Sequence, residues 1–145
     1  MSRHFACTLL PLTLWLATTA LSAEPTELQG TWTEIIPDRP RNGKRAPREP
    51  LTLVVDGASL LEKTQNRIVR QSLFTIVPGK CSSIDFMTVV DGEFWLTRAI
   101  YKIEDDVLTV CEAGQNEKRP TLFQGWEALG DRLTSLRKFK RRTAE

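Results

Sequence analysis

Chemistry in this chain starts from a shortage. Its only histidine is His4, which lies in an apolar leader, so the part that folds has none. Ser–His–Asp and Cys–His nucleophile arrangements are therefore excluded within one chain. Histidine-based zinc or iron sites are excluded with them. What is left beyond the leader is carboxylates, the thiols of Cys81 and Cys111, and the single tyrosine, Tyr101.

Each of these has a structural reading. Asp105 and Asp106 are adjacent carboxylates, and paired carboxylates can do acid–base work. Between two alternating apolar runs they read more simply as turn residues, as do Asp56 and Asp91. Cys81 and Cys111 favour a disulfide if the compartment is oxidising. The expected strand register separates them by one strand and about four residues of stagger, roughly 16 Å, whereas a bridge needs Cα atoms within about 7 Å. Two free thiols are the preferred reading. A bridge stays open, because Cys81 follows Gly79-Lys80 in a loop that can bend out of register. Neither cysteine has an imidazole to activate it. The expectation is a protein that is not an enzyme, with no catalytic residue, no cofactor and no metal.

The elements that must position these residues begin after residue 23. Arg3 and His4 precede an apolar run, Leu9–Leu21, and the small residues Ser22 and Ala23 follow it. That is the pattern of a secretory signal peptide, residues 1–23, with cleavage after Ala23 and cleavage after Ala20 as the alternative. The run is too short to span a membrane as a stable helix. Residues 24–145 read as a single domain that is secreted or periplasmic, with no transmembrane segment. One of the 20 Lys+Arg and none of the 18 Asp+Glu fall in the leader. The remaining 19 basic and 18 acidic residues give a net charge of +1, so no strong field draws nucleic acid.

Beyond the leader the period of hydrophobicity is two. "GTWTEII" (30–36), "LTLVVDGASLL" (51–61), "RIVRQSLFTIV" (67–77), the three runs of 82–112, "RPTLFQ" (119–124) and "RLTSLRKFK" (132–140) give eight or nine short strands. This spacing predicts an all-β fold, a small up-and-down antiparallel barrel of about eight strands. Two-residue turns at Asp91-Gly92 and Glu104-Asp105 would set Ile84 opposite Ala99, Phe86 opposite Thr97, and Tyr101 opposite Leu108. One face then carries Ile84, Phe86, Trp95, Ala99, Tyr101, Ile103, Leu108 and Val110. The other carries Asp85, Arg98, Lys102 and Glu112, with Ile100 as an exception. Phe86, Trp95, Ala99, Tyr101, Leu108 and Val110 are candidate cavity lining, with core filling the preferred role for Trp95 and Tyr101.

"PDRPRNGKRAPREP" (37–50) holds four of the eight prolines and five basic residues. It cannot be a central strand. It reads as a solvated loop or, functionally, as a basic lid of Arg39, Arg41, Lys44, Arg45 and Arg48 over one end of the barrel. "RKFKRR" (137–142) is a solvated edge and tail, or a second basic patch for anionic lipid or polysaccharide.

"LQGTW" (28–32), "IDF" (84–86), "IYKIEDDVLTVC" (100–111) and "KRPTLF" (118–123) follow one another in order. Together they resemble the short lipocalin-like domain of unknown function common in secreted bacterial proteins of the planctomycete type, over nearly all of residues 28–140. The resemblance implies a calycin-type barrel. It also implies a plug: Gly30 and Trp32 on the first strand, with Arg137 or Lys138 of the last strand lying over the indole and Gly30 letting the neighbouring chain pass close. Only "GWEALGD" (125–131) stands where larger lipocalins place a helix, which implies a smaller barrel and cavity.

Two functions are carried forward. The first is a secreted, monomeric, non-catalytic binding module for a small apolar or anionic molecule. The second is a structural or protein-interaction domain of the cell envelope, with a side-chain-filled barrel and no small ligand.

Overall fold

The inward phase of the runs above is rich in β-branched, aromatic and leucine residues, and such side chains fit a pleated, half-buried surface. In the computed structural model, which describes residues 26–36, 49–65, 67–78, 82–124 and 134–143, those runs other than 119–124 form eight antiparallel strands closed into one barrel. They are β1 (Gly30–Glu34), β2 (Thr52–Asp56), β3 (Ser59–Thr64), β4 (Arg67–Val77), β5 (Ser83–Val90), β6 (Glu93–Glu104), β7 (Val107–Gln115) and β8 (Ser135–Arg141). Each strand pairs with the next, and β8 returns to β1 through Trp32↔Arg141 and Glu34↔Phe139. The expected up-and-down barrel is therefore the fold. The leader, the proline-rich segment 37–48 and Cys81 lie outside the described residues. No helix among those described is long and apolar enough to cross a membrane.

The β5–β6 hairpin has the expected register, Ile84↔Ala99 and Phe86↔Thr97. Asp91 and Gly92 form its turn with φ of 52° and 84°, as a type I′ turn requires. The β6–β7 turn is one residue later than expected, at Asp105–Asp106, where φ is 50° and 59°. Aspartate tolerates this left-handed backbone, so both turn positions are filled without glycine. Tyr101 consequently faces Val110 rather than Leu108. The pairing slips by two residues, not one, and the inward set stays inward. The β2–β3 turn also moves by one, to Gly57–Ala58 with Asp56↔Ser59.

The core is Trp32, Leu51, Leu53, Val55, Leu60, Phe74, Ile84, Phe86, Ala99, Tyr101, Leu108, Val110 and Phe139, with Leu28 at one end. Two assignments from the sequence are corrected. Trp95 is exposed, because the tip of the β5–β6 hairpin runs beyond the neighbouring strands. Glu112 is buried inside: alternation from Leu108 and Val110 along β7 carries it to the same face.

"RPTLFQ" is not a ninth strand. Arg119–Gln124 is irregular and lies as a strap on the outer face of β5–β7. Arg119 donates to the carbonyls of Ile84 and Ala99 and pairs with Asp85 at 2.6 Å. Lys102 sits 5.5 Å from the Phe123 ring centroid. Beneath the strap, Ile100 and Cys111 face each other across β6–β7 and are buried. That cover explains the apolar exception on an otherwise polar face.

Candidate functional site

The two ends of the barrel are built differently. At the first, the short 3-10 turn Thr26–Leu28 crosses the opening, and Trp32 fills the space below it with no exposed surface. The indole Nε1 donates to the Leu28 carbonyl at 2.9 Å. The cation over the ring is neither Arg137 nor Lys138. It is Arg141, with its guanidinium carbon 4.1 Å from the ring centroid. The register dictates this, since β8 runs one residue further than expected and Arg141 is the residue opposite Trp32. Lys138, opposite Thr109, points outward.

Arg141 also ties the end together. It donates to the carbonyls of Gln29 and Glu27 at 2.8 and 2.7 Å and lies 3.4 Å from Asp106. Gln29 bonds Gly57 through both amide atoms. Tyr101 donates from its hydroxyl to Glu27 at 2.9 Å. Burial and the neighbouring Glu27 carboxylate push the Tyr101 phenol up to about 12. Gly30 has φ of 113°, and a Cβ there would meet nothing closer than Arg141 Nη1 at 3.7 Å. Glycine is needed for the backbone conformation rather than for close passage of a neighbouring chain.

Toward the second end the interior changes character. Arg137, expected at the plug, points inward four residues along β8 and joins Arg70, Glu62 and Glu112. Arg137 grips Glu62 with both terminal nitrogens at 3.1 Å and also bonds Glu112. Arg70 bonds Glu62, and reaches Glu112 at 3.1 and 3.3 Å. Each carboxylate thus bridges both guanidiniums in a closed quartet of two positive and two negative charges. Arg137 lies 5.6 Å from the Phe139 ring centroid and Arg70 5.5 Å from that of Phe86.

Burial alone would raise the Glu112 carboxyl; Arg137 and Arg70 outweigh it and hold it below the ordinary glutamate value. Burial alone would weaken the Arg137 charge; Glu112 and Glu62 reverse that and fix it. The quartet was not anticipated. Its signal was there, because Glu62, Arg70, Glu112 and Arg137 all sit in phase with apolar inward residues. A charge in phase with a core face is conventionally set aside as solvated.

Between plug and quartet is a cavity of about 20 Å³. Phe86, Tyr101, Leu108 and Val110 line it together with the quartet; Ala99 belongs to the surrounding core and Trp95 does not reach it. The volume suits about one water molecule. Arg70 Nε is buried without a hydrogen-bond partner. Among the described residues no three His, Cys, Asp or Glu come together as a metal site. Cys111 is a free thiol that donates to the Gln124 carbonyl at 3.4 Å. Burial pushes its pKa up, which suppresses the nucleophilic thiolate. Arg39, Arg41, Lys44, Arg45 and Arg48 lie outside the described residues, as does "GWEALGD". Comparison with protein-family models, curated proteins and solved structures finds no match for this chain.

Proposed function

We propose that this protein is a non-catalytic interaction module whose barrel is filled by its own side chains and which meets macromolecular partners through its outer surface. The observation that carries this reading is the interior volume. A cavity of about 20 Å³ falls far below the roughly 300–1,000 Å³ of small-molecule sites. The polar groups that could orient a ligand are already engaged with one another in the quartet. Opening that ring to admit a guest would leave charges of low exposure unpaired, which costs several kcal/mol. The apolar leader supports work outside the cytoplasm, in the envelope or beyond it.

One observation favours a second reading, a carrier of small anionic amphiphiles. Arg70 Nε has no partner, and a ligand carboxylate could take the place of one glutamate. Native mass spectrometry of protein purified from a secreting host, joined to thermal melts with a C12–C16 carboxylate series, separates the two. The filled-barrel reading expects the bare chain mass and an unmoved Tm. A retained adduct or a chain-length-dependent rise in Tm supports the carrier and ends the filled-barrel reading.

A further inference from the structure

The outer wall of β4–β6 carries residues that nothing in the interior explains. Ser72, Phe74, Phe86 and Thr88 point inward and are buried. Their alternates point outward: Leu73 is 56 % exposed, Met87 44 %, Val89 59 % and Phe94 73 %. The ladder makes these neighbours. Leu73 pairs with Met87, Met87 with the half-buried Leu96, and Val89 with Phe94. Antiparallel sheets of this size ordinarily turn polar residues to solvent. Here these four side chains alone present on the order of 400 Å² of apolar surface in one strip, the size of a monomer's largest apolar patch, which is often functional.

The strip has a polarity along its length. At one end is the β5–β6 turn, with the exposed Asp91; Glu93, opposite Val90, is in phase with Trp95 and belongs to the other face. At the other end is Arg98, where the strap begins. The Arg98 guanidinium is held by the backbone carbonyls of Asn116 and Glu117, at 3.5 and 2.9 Å. Lys118 follows, exposed, so the two cations outnumber the Glu117 carboxylate. Asp85 at that end is matched by Arg119.

An apolar centre with an acidic end and a basic end is complementary to itself under a two-fold rotation, which is the condition for an isologous interface. We propose that this wall is the interface of a homodimer, with the strips packed face to face about a two-fold axis near Leu96, so that the acidic turn of each copy meets the Arg98 end of the other. Two strips supply roughly 800 Å² of apolar surface. With Gln71 and Thr75 at the rim, the footprint reaches about 1,200 Å², the low end for a specific, stable interface. The inference departs from the monomer expected from the sequence. It rests on the reading that the outer surface is the working one.

Sedimentation velocity on the full secreted chain tests it. The expected result is twice the chain mass at tens of micromolar, falling to one chain mass for Phe94→Asp and for Met87→Asp, with far-UV circular dichroism and Tm unchanged. Because both positions face solvent, neither variant should unfold. Leu96→Cys, close to the axis, should form a cross-linked dimer on mild oxidation, whereas Lys63→Cys on β3 should not. Arg98→Glu should weaken the dimer at least tenfold, and raised salt should weaken the parent in the same direction.

A single-chain mass at every concentration up to roughly 1 mM overturns the proposal, as does a dimer indifferent to Phe94→Asp and Met87→Asp. Phe94 protected from surface labelling in a single chain overturns it too, and points to cover by another part of the same chain. A monomer of bare mass would sink the dimer alone; a monomer retaining an interior adduct would sink the filled-barrel reading as well.

Discussion

The two ends of this barrel close the same tube by opposite means. At the Trp32 end, one large apolar side chain fills the space, and Arg141 lies over it with its donors spent on backbone carbonyls. At the other end four charged side chains occupy the tube and pair with one another, leaving Arg70 Nε alone without a partner among the quartet's atoms. Burial of apolar area stabilises in proportion to the area and without direction. A buried ionic ring stabilises little in net terms, because desolvation offsets its Coulomb energy, yet breaking it is expensive. The plug should therefore dominate the stability of the fold. The quartet should dominate what the interior admits, since it ties β3, β4, β7 and β8 together across the lumen.

Trp32→Ala tests the first half of that contrast and carries the largest expected effect. Truncating a fully buried tryptophan costs about 3–5 kcal/mol, and the stacked Arg141 loses its ring as well. The denaturation midpoint should fall sharply with a cooperative transition retained. An unchanged midpoint would mean that the indole is not the plug, and the distinction between the ends would lose its basis.

The plug and the quartet differ in how far the sequence reveals them. Hydrophobic alternation reports which face a residue occupies and puts Phe86, Tyr101, Leu108 and Val110 inside, whereas Trp32 at the plug is what the lipocalin-like resemblance implies. Alternation sets Glu62, Arg70, Glu112 and Arg137 in the inward phase, but does not say that these charges leave water together by joining one another. Glu62 and Arg137 lie 75 positions apart in the chain, and no local pattern links them. Strand ends escaped for a related reason. The sequence puts the stacking cation at Arg137 or Lys138, three or four residues early, because the length of β8 is set by its pairing with β1 and β7, not by its own composition. The turn at Asp105–Asp106 was placed one residue early because adjacent acids offer equivalent turn chemistry. The cover over Ile100 and Cys111 comes from a strap that reads, by itself, as another strand.

Glu112→Gln tests the second half with a smaller effect. The amide keeps the shape and removes one negative charge. Arg137 retains Glu62, so the loss should be about 2 kcal/mol rather than the 3–5 of a fully orphaned ion. The pH dependence identifies the cause. The folded Glu112 carboxyl titrates below its ordinary value near 4.5, so its contribution is present above that value and is lost as pH falls through the lower, folded pKa. The gap in stability between parent and Glu112→Gln should hold at neutral pH and narrow below about pH 4. Replacing all four charges by Met and Leu of similar volume should restore or exceed the parent stability. A gap that does not change with pH would assign the loss to packing, and the quartet would then differ from the plug only in composition.

Tyr101 gives the smallest effect and the cleanest readout, because it is the only tyrosine in the chain. Its phenol belongs to the plugged end, where it donates to Glu27 beside the 3-10 turn. Tyr101→Phe should cost about 0.5–1.5 kcal/mol, the net worth of one such hydrogen bond. The folded phenol titrates near 12, against about 10 in an unfolded chain. The folded state therefore holds this proton more tightly. The associated stability is complete below pH 10 and is lost as pH rises from 10 toward 12. Phenolate absorbance followed on the parent should show no ionisation near pH 10 while circular dichroism reports an intact barrel, and Tyr101→Phe should flatten the alkaline decline. Ionisation near pH 10 in a folded barrel would show water reaching the hydroxyl through the 3-10 turn. The end beside Trp32 would then be the permeable one, and the contrast between the two closures would reverse.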